Sequence, residues 1–230
     1  MNQNPSISVI IPVLNEECGI NHVIDHVRSL KGGAGVEIVV VDGDPSGSTI
    51  KAVGRGGIIT SIAPKGRGSQ MNRGSAIASG DILLFLHADT LLPESAFPLV
   101  RETMLTGKYA AGCFDLGLRT DRRIFRVTER YVAFRTRLTR IPFGDQAIFI
   151  GKDLFERLGG YRDIPVMEDV DLMLRIRRRG EGIRIIPEKV MTSARRWEED
   201  GLILGTFRNW MLQLLYCCGV SPSRLARFYR

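Results

Sequence analysis

The segment Ser8-Val9-Ile10-Ile11-Pro12-Val13-Leu14-Asn15-Glu16-Glu17 begins with a run of aliphatic residues and ends with polar ones. A run that is apolar at nearly every position is typical of a strand buried on both faces of a parallel sheet, here predicted at Ile7–Val13. Val36–Val41 and Asp81–Leu86 repeat the pattern, and two helix-like stretches, 16–30 and 69–78, separate the three runs. This alternation of strand and helix predicts a doubly wound α/β fold.

Polar side chains follow each of the three predicted strands. In doubly wound sheets, ligands bind beyond the carboxyl ends of the strands, so we expect these side chains to meet at one edge. The residues at the three strand ends are Asn15 and Glu16, Asp42 and Asp44, and His87 and Asp89.

The second part of the chain is less regular. It predicts a basic helix over 122–140, a strand over 146–150, and helices over 152–158 and 168–179. No internal repeat, low-complexity tract or linker interrupts the sequence, which favours a single domain over 1–230.

Composition narrows the class of protein. The 230 residues are 44% hydrophobic, which excludes a disordered or fibrous chain. A net charge of +7 indicates an anionic partner, which could be nucleic acid, a membrane surface or a phosphorylated substrate. No nucleic-acid-binding motif is present, so we expect no nucleic acid partner.

The start of the chain lacks the features of a signal peptide, which favours a cytoplasmic protein. The four cysteines are expected to be reduced core thiols.

Two segments could bind a nucleotide's phosphates. Asp89, two residues after His87, could hold a hard divalent cation with a diphosphate completing the shell, or it could cap a turn. The glycine-rich, cationic loop 65–74, which contains Arg67 and Asn72, could contact phosphate through backbone N–H groups, or it could be a solvated surface turn.

Three other segments offer groups for an acceptor or for catalysis, and each has a plain structural alternative. Glu168-Asp169 could supply a general base or could cap a helix. Gly144-Asp145-Gln146 could bind hydroxyl groups or form a turn. Arg195-Arg196-Trp197 could clamp a diphosphate and stack on a ring, or form an exposed salt-bridged stretch.

Two segments show an apolar stripe at helical spacing. In the basic helix the stripe is Val127, Tyr131, Phe134 and Leu138, and near the end of the chain it includes Phe207 and Met211. Packing on the domain, a homodimer interface and shallow membrane contact all fit these stripes. The second is too short and too polar to span a membrane.

Taken in order, the motifs resemble family 2 glycosyltransferases. Those that carry the resemblance are Ser8–Glu17, Val39-Val40-Val41-Asp42-Gly43, Ala78-Ser79-Gly80-Asp81, His87-Ala88-Asp89, Gly144-Asp145-Gln146 and Glu168-Asp169. A narrower resemblance, carried by Gly66–Asn72 and Gly219–Pro222, is to a small bacterial subgroup named for arsenosugar biosynthesis.

The resemblance implies a GT-A fold, with 1–90 as a nucleotide-binding half and 91–230 as an acceptor-binding and catalytic half. It implies inverting transfer of a sugar from a nucleotide-diphosphate donor, with uridine the expected base, to a small-molecule or lipid-linked acceptor. It further implies a Mn²⁺ or Mg²⁺ ion at Asp89 and His87, with Asp169 as catalytic base and Glu168 beside it. The expected donor contacts are Pro12, Asn15, Glu16, Asp42, Asp44, Arg67, Asn72, His87, Ala88, Arg195 and Arg196, and the expected acceptor contacts are Gly144, Asp145, Gln146 and Trp197.

The chain also departs from the family pattern. His87 stands where the family usually has an acid, and Asp42-Gly43-Asp44-Pro45-Ser46 replaces the usual consecutive acids followed by Gly-Ser. The family's processive members carry a Gln-x-x-Arg-Trp segment, whereas here Ala194-Arg195-Arg196-Trp197 lacks that glutamine. Spanning helices are also absent, and both features favour single transfer. The alternatives are a nucleotidyltransferase, which usually has a glycine-rich loop directly after its first strand, and a non-catalytic membrane-surface module.

Overall fold

The computed structural model describes residues 4–195 and 202–228. In this part of the chain, eight strands form one mixed sheet in the order β3-β2-β1-β4-β7-β6-β8-β5. The strands are β1 Ile7–Val13, β2 Glu37–Asp42, β3 Ile59–Ile62, β4 Ile82–Phe85, β5 Thr90–Leu91, β6 Ala111–Arg119, β7 Phe149–Gly151 and β8 Ile183–Ser193. The helices are α1 Ile20–Ser29, α2 Ser48–Lys51, α3 Arg67–Ile77, α4 Ala96–Leu105, α5 Ile124–Thr139, α6 Lys152–Arg157, α7 Glu168–Arg178, α8 Leu202–Cys217 and α9 Pro222–Leu225.

The first four strands form the parallel part of the sheet. Strand β1 pairs with β2 and β4, and β2 pairs with β3, all in parallel. The three strands predicted from sequence therefore lie side by side, and the α/β fold class is confirmed. Strand β7 is antiparallel to β4 and joins this part to β6 and β8, so one sheet runs through both halves of the chain. This continuity supports the single-domain assignment, which stays a prediction.

Strand β1 is buried on both faces, as its composition predicts. Ile7, Val9 and Ile11 pack into one core cluster with α1 and α4, and Ile10 packs into a second cluster with α3, α6 and α7. Alternate side chains of a strand point to opposite faces, so the strand needs apolar residues throughout.

Helix α3 lies unusually close to the sheet. A Cβ atom on Gly74 would lie 2.4 Å from Cγ2 of Ile10 and 3.2 Å from Cγ2 of Val41. Only glycine permits this approach, which brings the first turn of α3 to the ends of β1 and β2.

Two simpler expectations have different outcomes. Cys18, Cys217 and Cys218 are exposed and only Cys113 is buried, so the expectation of four core thiols is wrong for three of them. The helices within 4–195 and 202–228 are each too short or too polar to cross a membrane.

Candidate functional site

A cleft with two adjoining compartments opens at the carboxyl ends of the parallel strands. The larger compartment has a volume of about 570 Å³ and the smaller one about 310 Å³. Five residues line both compartments and so form a shared wall, namely Lys65, Gly66, Arg67, His87 and Asp89. The strand ends predicted to meet therefore do so around one cleft.

The smaller compartment is built on the end of β1. It is lined by Pro12, Val13, Leu14 and Glu16, with Ala88 from the segment after β4. At its base Gln70 of α3 donates hydrogen bonds from Nε2 to the carbonyl oxygens of Val13 (2.7 Å) and Val41 (2.9 Å). This buried amide ties β1 to β2 where both strands end. Gln70 stands in the quoted glycine-rich segment but was not predicted as a site residue.

His87 and Asp89 lie in the wall between the compartments. Both are half-buried, and Oδ1 of Asp89 accepts hydrogen bonds from the hydroxyls of Thr90 (3.2 Å) and Thr192 (3.4 Å). Within the described ranges no three His, Cys, Asp or Glu side chains cluster as a metal site. One carboxylate and one imidazole still fit Mn²⁺ or Mg²⁺, because these ions commonly take their remaining ligands from substrate phosphates and water.

Negative charge accumulates near this wall. Burial, and next the negative charge of Asp89, raise the pKa of Glu16, while the positive charge of Arg195 lowers it. Two carboxylates that disfavour each other's ionised form in a half-buried cleft favour a bound cation, which would relieve that repulsion.

Glu168 and Asp169 begin α7 and line the larger compartment. The preceding residue, Met167, has a left-handed backbone with φ of 68°. Oδ2 of Asp169 accepts a hydrogen bond from the backbone N–H of Gly144 (2.6 Å), and its Oδ1 accepts one from the N–H of Val170 (2.7 Å). The carboxylate is therefore held in one orientation by two backbone donors.

The two acids of α7 have perturbed proton affinities. Burial, and next the charge of Asp169, raise the pKa of Glu168, whereas the positive charge of Arg67 lowers it. Burial likewise raises the pKa of Asp169, against the lowering effect of its hydrogen bonds from Gly144 and Val170. A carboxylate whose pKa is raised is a stronger base, which suits it to accept a proton near neutral pH.

Gly144 separates Asp169 from His87. A Cβ atom at Gly144 would lie 3.0 Å from Nε2 of His87 and 3.5 Å from Oδ2 of Asp169. The predicted imidazole and the predicted base thus face the same small opening, which glycine keeps clear.

Asp145 carries an unpartnered oxygen in the larger compartment. Its Oδ1 is buried with no hydrogen-bond partner among the described residues, and the residue lines the larger compartment. Burial raises the pKa of Asp145 to about 6, although the nearby Arg135 charge lowers it. An unpaired buried carboxylate oxygen is costly, so it is available to a ligand hydroxyl.

A buried arginine of α5 packs against the turn 143–146. Arg135 of α5 is 4% exposed, and its guanidinium lies 3.9 Å from the ring centroid of Phe143. Its Nη2 and the hydroxyl of Thr136 both donate to Oε1 of Gln146, whose Nε2 donates to the carbonyl of Phe114 (3.0 Å). Gln146 therefore anchors the turn and does not line the cleft.

The structure brings most of the predicted site residues to one cleft. Those that line it are Pro12, Glu16, Arg67, His87, Ala88, Asp89, Gly144, Asp145, Glu168 and Asp169. Those that do not line it are Asn15, Asp42, Asp44, Asn72, Gln146 and Arg195. Arg196 and Trp197 lie outside the described residues.

Asp42 shows how a predicted contact residue can instead shape a loop. Its side chain is fully buried, and it accepts hydrogen bonds from the backbone N–H groups of Asp44 (2.9 Å), Thr49 (2.9 Å) and Ile50 (3.3 Å). Its carboxylate is thus used within the protein, where it folds the segment after β2 into α2. The carboxylate of Asp44 is also used within this loop. It accepts hydrogen bonds from Ser46, and these bonds lower its pKa to about 2.

Asn72 has a similar structural role. Its Nδ2 donates to the carbonyl of Tyr161 (2.8 Å), and its Oδ1 accepts from the N–H of the same residue (2.8 Å). Both ends of the amide therefore fasten α3 to the segment before α7.

The cleft also contains residues that sequence reasoning missed. The segment 163–167 forms one side of the larger compartment, and Thr192, Ser193 and Asn209 come from β8 and α8. These residues belong to none of the motifs that carried the resemblance, and the pairing of β8 with β6 and β5 brings Thr192 and Ser193 to the site. Lys65 had a signal, since it begins the quoted glycine-rich loop.

The fold is that of GT-A nucleotide-sugar transferases. A family model described as glycosyl transferase family 2 matches residues 8–161, so the chain belongs to that family.

Two curated relatives are similar to parts of the chain. Glucosyl-3-phosphoglycerate synthase of Mycobacterium tuberculosis is 34% identical over 114 residues, which cover 45% of this chain and 35% of that protein. A probable glycosyltransferase of Bacillus subtilis is 26% identical over an alignment of 239 positions, which covers 93% of this chain and 54% of the relative. The chain thus spans about a third to a half of the length of these relatives.

Solved structures share the fold. The crystal structure of glucosyl-3-phosphoglycerate synthase from Mycobacterium tuberculosis in complex with Mn²⁺, UDP and phosphoglyceric acid has a TM-score of 0.64 at 24% identity, covering 94% of this chain and 79% of that one. A mannosyltransferase from Pyrobaculum calidifontis in complex with GDP-Man and Mn²⁺ has a TM-score of 0.68 at 19% identity, covering 98% of this chain and 68% of that one.

Proposed function

We propose that this chain transfers a sugar from a nucleotide-diphosphate donor, with UDP as the nucleotide, to a hydroxyl group of an acceptor with inversion at the anomeric carbon. The observation that carries the proposal is the shared wall. It places cationic residues and Asp89 between a compartment at the end of β1 and a second compartment that contains Asp169. A donor lying across this wall would present its anomeric carbon to the larger compartment.

The nucleotide would occupy the smaller compartment, with its diphosphate against the wall. Lys65 and Arg67 supply positive charge there, and the first turn of α3 supplies backbone N–H groups and the positive end of the helix dipole. Asp89 and His87 would hold a Mn²⁺ or Mg²⁺ ion, which neutralises the charge that develops on the leaving diphosphate. The two related folds whose structures contain a nucleotide and Mn²⁺ support this assignment.

The acceptor would occupy the larger compartment. As its hydroxyl oxygen bonds to the anomeric carbon, its proton passes to the Asp169 carboxylate. The bond from the anomeric carbon to the diphosphate oxygen breaks, and its electron pair leaves with the nucleotide. A single displacement inverts the configuration. Glu168 and the unpartnered Oδ1 of Asp145 would orient the acceptor by hydrogen bonds.

The size of the larger compartment favours a single transfer to a modest acceptor. Its volume of about 570 Å³ suits a small molecule or the head group of a lipid-linked one. We therefore propose a non-processive enzyme, and a cytoplasmic location and a homodimer stay predictions.

The test replaces the proposed base without changing its shape. In Asp169→Asn, UDP binding with Mn²⁺ should stay within about twofold of the parent, while glycosyl transfer should fall by about 10²–10⁴-fold, the usual contribution of a general base. Asp153→Asn, an exposed change on α6, is the matched control and should leave both unchanged.

Binding is measured by calorimetry with UDP, and transfer by UDP release from a panel of UDP-sugars and acceptors. Full transfer by Asp169→Asn would refute the role of Asp169. Pyrophosphate release from a nucleoside triphosphate and a sugar phosphate would instead identify a nucleotidyltransferase.

A further inference from the structure

Helix α5 exposes an apolar stripe that the rest of the described chain does not cover. The stripe consists of Ile124, Val127, Tyr131, Phe134 and Leu138, of which Phe134 is 65% exposed and Leu138 is 73% exposed. At 3.6 residues per turn these five side chains fall within about 80° of arc on one side of the helix. The opposite side carries Phe125 and Val132, which pack into the core. The helix is therefore apolar on two sides, and only one of them is needed for folding.

A second stripe on α8 lies beside the first. Phe207, Trp210, Met211 and Leu214 are all exposed on α8. Tyr131 and Trp210 line the same small cavity, and Arg135 of α5 donates to Oε1 of Gln213 of α8 (3.1 Å). The two stripes thus form one continuous surface, called here the α5–α8 face.

Positive charge borders this face. The segment 122–140 contains seven arginines and one acidic residue, Glu129, which is 2% exposed and paired with Arg126 and Lys189. Arg123 and Arg130 are exposed, and neither has an ion-pair partner in the part of the chain that is described. On a helical projection Arg123 and Arg130 lie directly beside the apolar stripe. Arg137 and Arg126 lie next to them and are ion-paired with Asp115 and Glu129. Residues 202–228 contain no acidic residue at all.

We infer that the α5–α8 face docks on an anionic phospholipid surface. Apolar side chains bordered by a row of arginines are the arrangement of helices that lie in the bilayer interface, where the apolar side enters the acyl boundary and the cations contact lipid phosphates. A second copy of the chain would bring the same arginine rows towards each other in a symmetric contact, which is unfavourable. Charge complementarity therefore favours the lipid surface.

Docking here would orient the cleft. Gly205 and Asn209 line the larger compartment, and Trp210 of the α5–α8 face is the next residue along α8. The mouth of the larger compartment would therefore lie close to the bilayer, where it could receive the head group of an amphiphilic acceptor. This consequence rests on the proposed function, whereas the docking itself does not.

The experiment measures binding of the full chain to vesicles. In a Trp197→Phe background Trp210 is the remaining tryptophan, so its emission reports directly on the α5–α8 face. We expect binding to vesicles of phosphatidylcholine with 30% phosphatidylglycerol, seen as co-sedimentation and a blue shift. Neutral phosphatidylcholine vesicles should bind at least tenfold more weakly, and added salt should weaken binding to the anionic ones.

Two pairs of surface changes test the two parts of the face separately. Phe134→Ser with Leu138→Ser removes apolar contact, and Arg123→Glu with Arg130→Glu reverses charge. Each pair should lower vesicle affinity at least tenfold without changing UDP binding. The matched controls lie elsewhere on the surface: Ile62→Ser for the apolar pair, and Arg157→Glu with Arg178→Glu for the charge pair.

Three results would overturn the inference. One is failure of the parent chain to bind anionic vesicles. Another is an equal loss of binding in the controls. The third is a dimer in solution, measured by light scattering, that Phe134→Ser with Leu138→Ser dissociates, because the face would then be a subunit interface. Since the apolar and charge pairs are independent, misfolding of one leaves the other as the test.

Discussion

Replacing Asp89 by asparagine should weaken UDP binding with metal and leave it unchanged or slightly tighter without metal. Asparagine keeps the shape of the side chain and removes its charge. Two unit charges 4 Å apart interact by about 1 kcal/mol in bulk water and by about 4 kcal/mol near a protein surface. Because Asp89 is half-buried, its loss should weaken Mn²⁺-bridged UDP binding by about 1.5–4 kcal/mol, which is roughly a tenfold to thousandfold rise in Kd.

Without metal the same change removes a repulsion. Asp89 and the diphosphate are both negative. Without an ion between them they should lie farther apart than two groups that bind the same ion, so the repulsion that the substitution removes is small. Asp89→Asn should then bind UDP as well as the parent, or more tightly by less than about 1 kcal/mol.

Calorimetric titration with UDP, run with Mn²⁺ and with EDTA, measures both effects. Asp163→Asn removes the same charge from a residue that lines the larger compartment but not the smaller one, and it should change neither titration greatly. Equal weakening with and without metal would refute the reasoning, because it would show that Asp89 supports the cleft rather than an ion. Unchanged affinity with Mn²⁺ would refute it as well.

Two further predictions concern the turn 144–146. Gly144→Ala would place a methyl group 3.0 Å from Nε2 of His87, so Mn²⁺-dependent UDP affinity should fall about tenfold in calorimetry. Gly35→Ala is the control, because the added methyl group meets open space there and should not change the affinity. Equal affinities of Gly144→Ala and the parent would show that His87 moves aside at no cost. Asp145 has a pKa of about 6 in the fold against an ordinary value of 3.8, so between about pH 4 and 6 the folded chain holds a proton that the unfolded chain has lost, and stability falls as the pH rises through that window. Asp145→Asn should therefore raise the free energy of unfolding at pH 7 by up to about 3 kcal/mol and flatten its change between pH 4 and 7 in urea titrations, and an unchanged pH profile would contradict this.

The sequence predicted the parallel part of the fold well because its signal is local. Strand β1 is apolar on both faces, and its predicted and observed limits coincide at Ile7 and Val13. Strands β6 and β8 were missed for the opposite reason. Strand β6 contains two glycines and Asp115, whose charge is balanced by an ion pair with Arg137 of α5 at 2.6 Å. Strand β8 contains a proline and several charged residues, and a shift in its register against β6 occurs beside that proline.

The site was predictable where one residue type was needed next to a strand or helix end. Asp89, Glu168 and Asp169 follow that rule, and all three line the cleft. Asp42 and Asn72 follow it too, but the same polar groups serve equally well to satisfy backbone N–H and C=O groups. A sequence does not distinguish a carboxylate offered to a ligand from one that accepts three backbone hydrogen bonds. That difference depends on the course of the loops, which is set by pairing between strands that are far apart in the sequence.

The wall between the two compartments has a thermodynamic consequence. Arg67, His87 and Asp89 face both compartments, so whatever fills the first completes a surface of the second. Any gain in acceptor affinity caused by bound nucleotide must then be matched by an equal gain in nucleotide affinity caused by bound acceptor. A donor that binds first and forms part of the acceptor-binding surface would impose a compulsory order of addition. The nucleotide diphosphate left after transfer would then retain the product until the nucleotide itself dissociates. In this arrangement the shared wall would set both the order of binding and the rate of release.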